Sequence, residues 1–463
     1  MNGADAAWLH MDRPTNPMVV NSVMWFDEPV DFDRYRDVVR RRLVDAFPRF
    51  RQRIVEPRAG LGIPDWEDDP DFDLDRHIHH IALPGPGDRT ALQELVGHLI
   101  SAPLDRGKPL WAMYVIDGYG AGMAQVTRIH HCIADGIALA RVLLSLTDER
   151  PQAGIARPVR PHLAVSGARL VGTIAHEAFG IATHPAAELP DLLAGAVRDA
   201  DALGKLVLTP RDGDNPFRAQ LHGRQRVSFT DEISLESVAA IGHRTQTTVN
   251  DVLVAAVTAA LRRTIAEHGD SVDQLRAMVP FNLRPLDKPL PRELGNRFGL
   301  VYLELPVGIR GPRKRLDEVH QRMDAIKHSP EGAVAYGLLS VIGLTPPQIE
   351  RRLVDLFASK CSLVLTNVPG PRQPVYLAGA RVAGVIPWVP AGGSIGLGIS
   401  IFSYDGRVAV GVRADTAALP DPDALVAGIG RELARMASLG RHVNGNRAEA
   451  SDRAAATPRP SRR

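Results

Sequence analysis

The sequence lacks the features of several large protein classes. It has only two cysteines in 463 residues, Cys132 and Cys361, which are too few for a disulfide framework or a multi-cysteine zinc site. Its net charge of +2 gives no reason to expect nucleic acid as a partner. It also has no apolar run of about 18 residues and no secretory signal at its N-terminus. We therefore expect a cytoplasmic protein that has no spanning helix but can still associate with the inner membrane face or with lipid inclusions.

The length of the chain exceeds the size at which one hydrophobic core tends to divide, so two domains are expected. A proline-punctuated stretch, PQAGIARPVRPH, follows residue 150 and indicates a boundary. We predict an N-terminal domain over residues 1–150, a helical linker over 151–222 and a C-terminal domain over 223–440. The polar, proline-bearing tail over 441–463 is predicted to be disordered.

Hydrophobic periodicity predicts alternating helices and strands in the first half. The pattern predicts a helix over residues 34–47 that ends at Pro48, a strand near 49–56, and a hairpin of strands 111–118 and 123–131.

Helices are predicted from the middle of the chain to its end. A buried helix starts from Ile137, a long helix starts after the N-cap Thr248, and a last helix spans Leu425 to Met436. The amphipathic segment from Leu163 to Leu208 is a candidate for lying on a bilayer or for covering the domain junction.

The stretch HHCIADG, residues 130–136, carries the main functional signal. His131 ends a predicted strand, and a side chain at a strand end can be held rigidly while it remains accessible. A neutral imidazole can take a proton from a hydroxyl that attacks a carbonyl, which is general base catalysis. No serine nucleophile is needed when the acyl donor is already activated, as a thioester is, and the sequence has no G-x-S-x-G elbow.

Asp135 lies four residues after His131, and its type and spacing leave three roles open. It can orient the imidazole, bind a metal together with His131, or pair with an arginine elsewhere and fix the turn. We expect Gly136 to let the backbone bend where a Cβ would collide. No convincing third metal ligand lies nearby in sequence, so no metal is expected.

A second histidine cluster, DRHIHHIALP, can place His77 and His79 on one face of a strand. Such a pair is compatible with a metal site, but a partly exposed strand explains the pattern more simply.

With its neighbours considered, HHCIADG resembles the HHxxxDG motif of the CoA-dependent acyltransferase superfamily. The chain as a whole resembles bacterial wax ester synthases/diacylglycerol acyltransferases from about residue 4 to 437. The stretches that carry the resemblance occur in order: DAAWLHMDRPTNPM, PDWEDDPDFDLDRHI, KPLW, VNDVLVA, MVPFNLRP, ELGNRFG, LTNVPGP and FSYDGRVAVGVRAD. The resemblance implies two chloramphenicol-acetyltransferase-like α/β domains, each with a mixed sheet flanked by helices, and an active-site tunnel at their interface.

The resemblance also implies a reaction. His131 would be the general base, with His130 in a supporting role, and would deprotonate the hydroxyl of diacylglycerol or of a long-chain fatty alcohol. The oxygen would attack a long-chain acyl-CoA to give a triacylglycerol or a wax ester, with acyl-CoA as a substrate and no cofactor. By the same analogy Asp135 is structural and pairs with Arg284.

Four further residues are substrate-binding candidates through this resemblance. Asn250 lies near a helix start and is placed to position substrate or polarise the thioester carbonyl. Asp12 stands where many relatives have glutamate, so its carboxylate reaches one methylene less far. Trp111 in KPLW and Ser394 in GGSIGLG are candidates for the tunnel wall, against packing and turn roles respectively.

Two other functions fit the same motif. One is a condensation-type transacylase that takes its acyl group from a carrier protein. The other is a non-catalytic lipid-binding relative. The opening segment, KPLW and LTNVPGP argue against the first, and the joint presence of His131, Asp135 and Gly136 argues against the second.

Overall fold

A computed structural model describes residues 1–57, 62–151, 204, 206–284 and 289–437. The predicted tail and most of the Leu163–Leu208 segment lie outside these residues. In the described part the strands are β1 (Val19–Phe26), β2 (Gln52–Val55), β3 (Asp65–Asp68), β4 (Ile78–Ala82), β5 (Trp111–Tyr119), β6 (Gly122–His130), β7 (Gln225–Phe229), β8 (Ile233–Ser234), β9 (Leu275–Asn282), β10 (Phe298–Leu305), β11 (Leu363–Pro369), β12 (Tyr376–Leu377), β13 (Ala380–Trp388), β14 (Leu397–Tyr404) and β15 (Arg407–Asp415).

The α-helices alternate with these strands, as the periodicity predicted. In the described residues they are α1 (Gly3–His10), α2 (Phe32–Val39), α3 (Arg89–Ser101), α4 (Gly136–Ser145), α5 (Leu235–Thr245), α6 (Val249–Glu267), α7 (Pro312–Lys327), α8 (Glu331–Ile342), α9 (Pro347–Ala358) and α10 (residues 422–437). The mixed α/β class is therefore confirmed.

The described strands form two large sheets. The first has the order β12-β13-β1-β6-β5-β4, and the second has the order β10-β9-β11-β14-β15-β7, with β8 also paired to β15. β12 and β13 come from the second half of the sequence but complete the first sheet, where β13 pairs antiparallel with β1. Backbone hydrogen bonds therefore join the two halves of the chain, and the first sheet contains strands from both sides of the predicted domain boundary.

Several local predictions are confirmed. β5 and β6 form the expected antiparallel hairpin. α6 begins with a capping box, in which Thr248 accepts from the N–H of Asp251 and the Asp251 carboxylate accepts from the N–H of Thr248. The helix predicted over 34–47 is divided, because α2 ends at Val39 and a turn of π-helix continues it over Arg40–Val44.

The histidines of the DRHIHHIALP stretch have separate partners. His77 precedes β4, and its Nδ1 lies 2.9 Å from the carbonyl oxygen of Trp111. His79 stacks on an aromatic ring of β5, and His80 Nε2 lies 2.7 Å from Asp117 Oδ2. Among the described residues, no group of three His, Cys, Asp or Glu side chains is placed to hold a metal ion.

Candidate active site

The HHCIADG turn is fixed at both ends by backbone hydrogen bonds. β6 ends at His130, and the N–H of His131 donates to the Met18 carbonyl at 2.7 Å. At the other end, Asp135 caps α4 by accepting from the N–H of Ala138 at 2.8 Å. The strand and the capped helix therefore hold the His131 backbone rigidly.

The His131 ring is held by residues that lie far away in sequence. Trp8 of α1 stacks on it, with the ring centroids 4.1 Å apart. Its Nδ1 lies 3.0 Å from Asn296 Oδ1. Asn296 Nδ2 donates to the His131 carbonyl oxygen at 2.8 Å, which orients the amide so that Oδ1 faces the ring. Because an amide oxygen only accepts, Nδ1 of a neutral His131 carries the proton and Nε2 carries the lone pair.

Burial determines the charge of this ring. It lowers the pKa of His131 to about 4, against the opposing effects of the Asp135 charge and the hydrogen bonds to the residue. His131 is therefore neutral near pH 7, which is the form that can accept a proton.

A buried carboxylate supports Asn296 from behind. Asp5 Oδ1 accepts from both the backbone N–H and the Nδ2 of Asn296, each at 2.8 Å. Burial raises the pKa of Asp5 to about 6, although the two Asn296 hydrogen bonds oppose the shift. Asp5, Asn296 and His131 thus form one chain of hydrogen bonds from α1 to the ring.

His130 has a different environment. Its Nδ1 accepts from the Cys132 N–H at 3.2 Å, and its Nε2 lies 3.7 Å from Asp12 Oδ1. Burial opposes ionisation of Asp12, but His130, the Met18 N–H and Arg106 together lower the pKa of this carboxyl. His130 is buried and does not line the cavity that the His131 ring faces.

Asp135 and Arg284, the pair that the resemblance implied, lie in contact. Arg284 Nη2 donates to Asp135 Oδ2 at 3.1 Å and to the Gly295 carbonyl at 2.7 Å. The N–H of Arg297 also donates to Asp135 Oδ2 at 3.1 Å. Asp135 therefore joins the first half of the chain to the second, and its carboxylate is held by these partners rather than by the His131 ring.

A cavity of about 1160 Å³ lies between the two halves, beside His131. Its wall combines Trp8, His131, Asp135 and Gly136 from the first half with residues of α6, β9, β10 and β11 from the second. The predicted interface between the two halves therefore contains a cavity, and His131 faces it.

Asn250 also lines this cavity, at the start of α6. Its Oδ1 accepts from Asn367 Nδ2 at 2.8 Å, which leaves the Asn250 amide N–H groups available as donors. A donor at this position can bind a carbonyl oxygen, as the sequence suggested.

Three other substrate-binding candidates lie away from the cavity wall. Trp111 is packed in the core, where its indole N–H donates to a backbone carbonyl at 2.8 Å, so packing explains it. Ser394 is an exposed turn residue. Asp12 contacts His130 and Arg106 instead of the cavity.

Gly136 has a different role from the one that the sequence suggested. The expectation that a Cβ would collide there is wrong, because nothing lies within 4 Å of the place that a Cβ would occupy. Gly136 instead forms part of the cavity wall, where the absence of a side chain leaves space beside His131.

Two more cavities adjoin the central one. A cavity of about 780 Å³ shares Gly136, Val368 and Val389 with it and is lined mainly by aliphatic side chains. A cavity of about 640 Å³ lies beneath α8 and α9 and shares Trp8 and Met278 with the central cavity. The surroundings of the HHCIADG turn are thus apolar on two sides.

Sequence reasoning did not single out Trp8, Asp5, Asn296 or Asn367. Each lies in a stretch that carried the resemblance, and Asp5 and Trp8 are three residues apart on one helix, which places them on one face. That spacing was the available signal for α1. The partnership of Asn296 with His131 spans 165 residues and has no local signal.

Comparison with known proteins identifies the family of the chain. The family model of the wax ester synthase/diacylglycerol acyltransferase catalytic domain matches residues 1–253. The family model of the C-terminal domain of the same family matches residues 294–437. The chain belongs to this family. It is 31% identical over 406 residues, 85% of each chain, to the "Probable diacyglycerol O-acyltransferase tgs1" of Mycobacterium tuberculosis.

Solved structures support the fold of this family member. The wax ester synthase/diacylglycerol acyltransferase from Marinobacter aquaeolei VT8 superposes with a TM-score of 0.68 at 22% identity, covering 94% of this chain and 98% of the other. The first condensation domain of the CDA synthetase gives a TM-score of 0.57 at 16% identity, covering 95% and 94%. The acyltransferase family therefore shares its two-sheet fold with condensation domains.

Proposed function

We propose that this acyltransferase moves a long-chain acyl group from acyl-CoA to the hydroxyl of diacylglycerol or of a long-chain fatty alcohol. The observation that carries the proposal is the His131 ring, which faces the central cavity with Nδ1 bound to Asn296. The family match and the relative named as a diacylglycerol acyltransferase support the choice of substrates.

In the proposed mechanism, His131 Nε2 accepts the hydroxyl proton as the acceptor oxygen attacks the thioester carbonyl carbon. The Asn296 carbonyl oxygen stabilises the imidazolium that forms, because its hydrogen bond from Nδ1 strengthens as the ring becomes charged. Asn250 donates to the carbonyl oxygen as negative charge develops there. The C–S bond then breaks, and the CoA sulfur takes the proton from Nε2, which restores the neutral ring.

The proposed chemistry requires no cofactor, since a thioester is already an activated acyl donor. Asp135 acts as a positioning residue, because it caps α4 and binds Arg284.

A lipid acceptor is found at a lipid surface. We therefore propose that the protein associates peripherally with a membrane or a lipid inclusion. None of the helices in the described residues combines the length and the hydropathy that a bilayer-spanning helix needs.

The test is incubation of the purified protein with labelled palmitoyl-CoA and either diacylglycerol or hexadecanol, followed by lipid separation. We expect labelled triacylglycerol or wax ester and release of CoA, and loss of both in a folded His131→Ala variant. Palmitoyl-acyl-carrier protein, offered in place of palmitoyl-CoA, is the matched donor control. Product formed only from the carrier-protein donor would contradict the proposal and favour a condensation-type transacylase.

A further inference from the structure

The helix pair α8 and α9 covers the apolar cavity that adjoins the active site. Their inner faces supply half of the residues in its wall: Ala335, Leu338, Leu339, Ile342, Val354, Phe357 and Ala358. Trp8 also borders this cavity, and it stacks on His131. The cavity beneath these two helices therefore adjoins the central cavity at shared wall residues, Trp8, Met278, Leu300 and Gly392.

The outer faces of the same helices are also apolar. Among the described residues, seven large hydrophobic side chains are exposed, and six of them lie on or beside this helix pair: Val207, Leu208, Val341, Leu344, Ile349 and Leu356. Leu206 packs against Val334 of α8, which places the neighbouring Val207 and Leu208 at this edge. Exposed apolar residues that cluster in this way mark an interaction surface.

Basic side chains accompany the apolar ones on α9. Arg351 and Arg352 are both exposed. Arg352 lies between Ile349 and Leu356 on one side of the helix, because the three positions follow helical spacing. An arginine that stands among exposed aliphatic side chains is placed to meet a negatively charged group at the surface they contact.

The acidic residues of α9 do not cancel this charge, because each is paired with the first segment of the chain. Glu350 lies 2.7 Å from His10, and Asp355 lies 2.9 Å from Arg13. The outward charge of α9 is therefore basic, which complements anionic lipid headgroups.

We infer that the outer face of α8 and α9 docks on an anionic lipid surface, and that the cavity beneath it admits the lipid acceptor to His131. This inference rests on the proposed function. Apolar side chains inserted among the lipids and arginines at the headgroups are the combination that binds interfacial helices. On this route a lipid passes Trp8, which borders both cavities, to reach His131.

The experiment compares the double variant Leu344→Glu/Ile349→Glu with Val55→Glu in the full chain. Val55 is the seventh exposed hydrophobic residue and lies in β2 rather than on the helix pair, so it is a matched control. Flotation with vesicles of phosphatidylcholine containing phosphatidylglycerol measures binding. We expect wild type and Val55→Glu to float and the double variant to bind at least about tenfold less, because two inserted side chains are replaced by charges. Circular dichroism checks that each variant is folded.

A second measurement links docking to acceptor entry. We expect the ratio of turnover with vesicle diacylglycerol to turnover with water-soluble hexanol to fall about tenfold in the double variant, in step with binding. The ratio should not change in Val55→Glu.

Flotation needs no catalysis, so the proposed function and the proposed docking surface can be contradicted independently of each other. A protein that floats through this face but transfers no acyl group contradicts the proposed function and supports docking. An active protein that does not float, or a double variant that floats as wild type does, overturns the docking surface. A face that binds another protein or a second copy of the chain would give this latter result.

Discussion

His130 and His131 are neighbours in sequence, yet the structure gives them opposite proton positions. His131 donates from Nδ1 to Asn296, so its Nε2 is free to accept a proton. His130 accepts at Nδ1 from the Cys132 N–H, so the proton of its neutral ring lies on Nε2, toward Asp12. Only the first arrangement presents a base to the cavity. The difference shows that the hydrogen-bond partners, a distant asparagine for His131 and the neighbouring Cys132 for His130, decide which ring nitrogen can accept a proton.

Replacement of each histidine tests this comparison most strongly. We expect His131→Ala to lower kcat about 10²- to 10⁴-fold, because the general base is lost. We expect a much smaller loss per folded molecule in His130→Ala, since His130 does not face the cavity. Acyl transfer from labelled palmitoyl-CoA measures both. Equal losses in the two folded variants would contradict the assignment of the base to His131.

The buried pair Asp135–Arg284 tests whether Asp135 stabilises the structure around His131 or takes part in the reaction itself. Asp135→Ala leaves the Arg284 charge buried without this partner, so we expect the free energy of unfolding to fall by about 3–5 kcal/mol. The exposed pair Arg313–Asp317 is the control, and Asp317→Ala should cost less than about 1 kcal/mol. Urea unfolding measures both values. A stable Asp135→Ala variant that has lost only turnover would point to a role in the reaction instead.

Asn296 is predicted to set the proton position of His131. In Asn296→Leu the hydrogen bond to the charged ring is absent from the transition state, which costs about 1.5–3 kcal/mol, or roughly 10- to 150-fold in kcat, with little change in KM. Asn21→Leu is a matched control, because Asn21 is also a buried asparagine but bonds to the Val19 carbonyl in β1. An Asn296→Leu variant with normal kcat would show that the ring needs no such partner.

Much of this architecture was predictable because its signals are local. The capping box of α6 depends on residues three apart, and the β5–β6 hairpin on two strands joined by a short turn. The Asp135–Arg284 pair came from family resemblance, since no spacing rule joins residues 149 apart. The Asn296–His131 contact and the crossing of β13 into the first sheet were missed, because tertiary packing alone brings those residues together.

The two ends of the Asp5–Asn296–His131 chain predict opposing effects of pH on stability. Burial raises the pKa of Asp5 from 3.8 to about 6, so the folded state binds more protons there and stability falls as pH rises through this window. The pKa of His131 is lowered from 6.5 to about 4, so the unfolded state binds more protons and stability falls as pH decreases. Each slope is at most about 1.4 kcal/mol per pH unit, and the two oppose each other between pH 4 and 6.

If Asp5 or His131 is removed, the pH dependence of stability that comes from the other residue should become measurable. In His131→Gln the free energy of unfolding should decrease, relative to wild type, as pH rises from 4 to 6. The reason is that Asp5 is then the one member of this pair that still titrates. In Asp5→Asn, which keeps an acceptor oxygen for Asn296, it should increase over the same range. Urea unfolding at several pH values measures both trends. If the free energy of unfolding changed with pH in the same direction in both variants, the pKa shifts of Asp5 and His131 would not have opposite effects on stability. The protonation states assigned to Asp5 and His131 would then be contradicted.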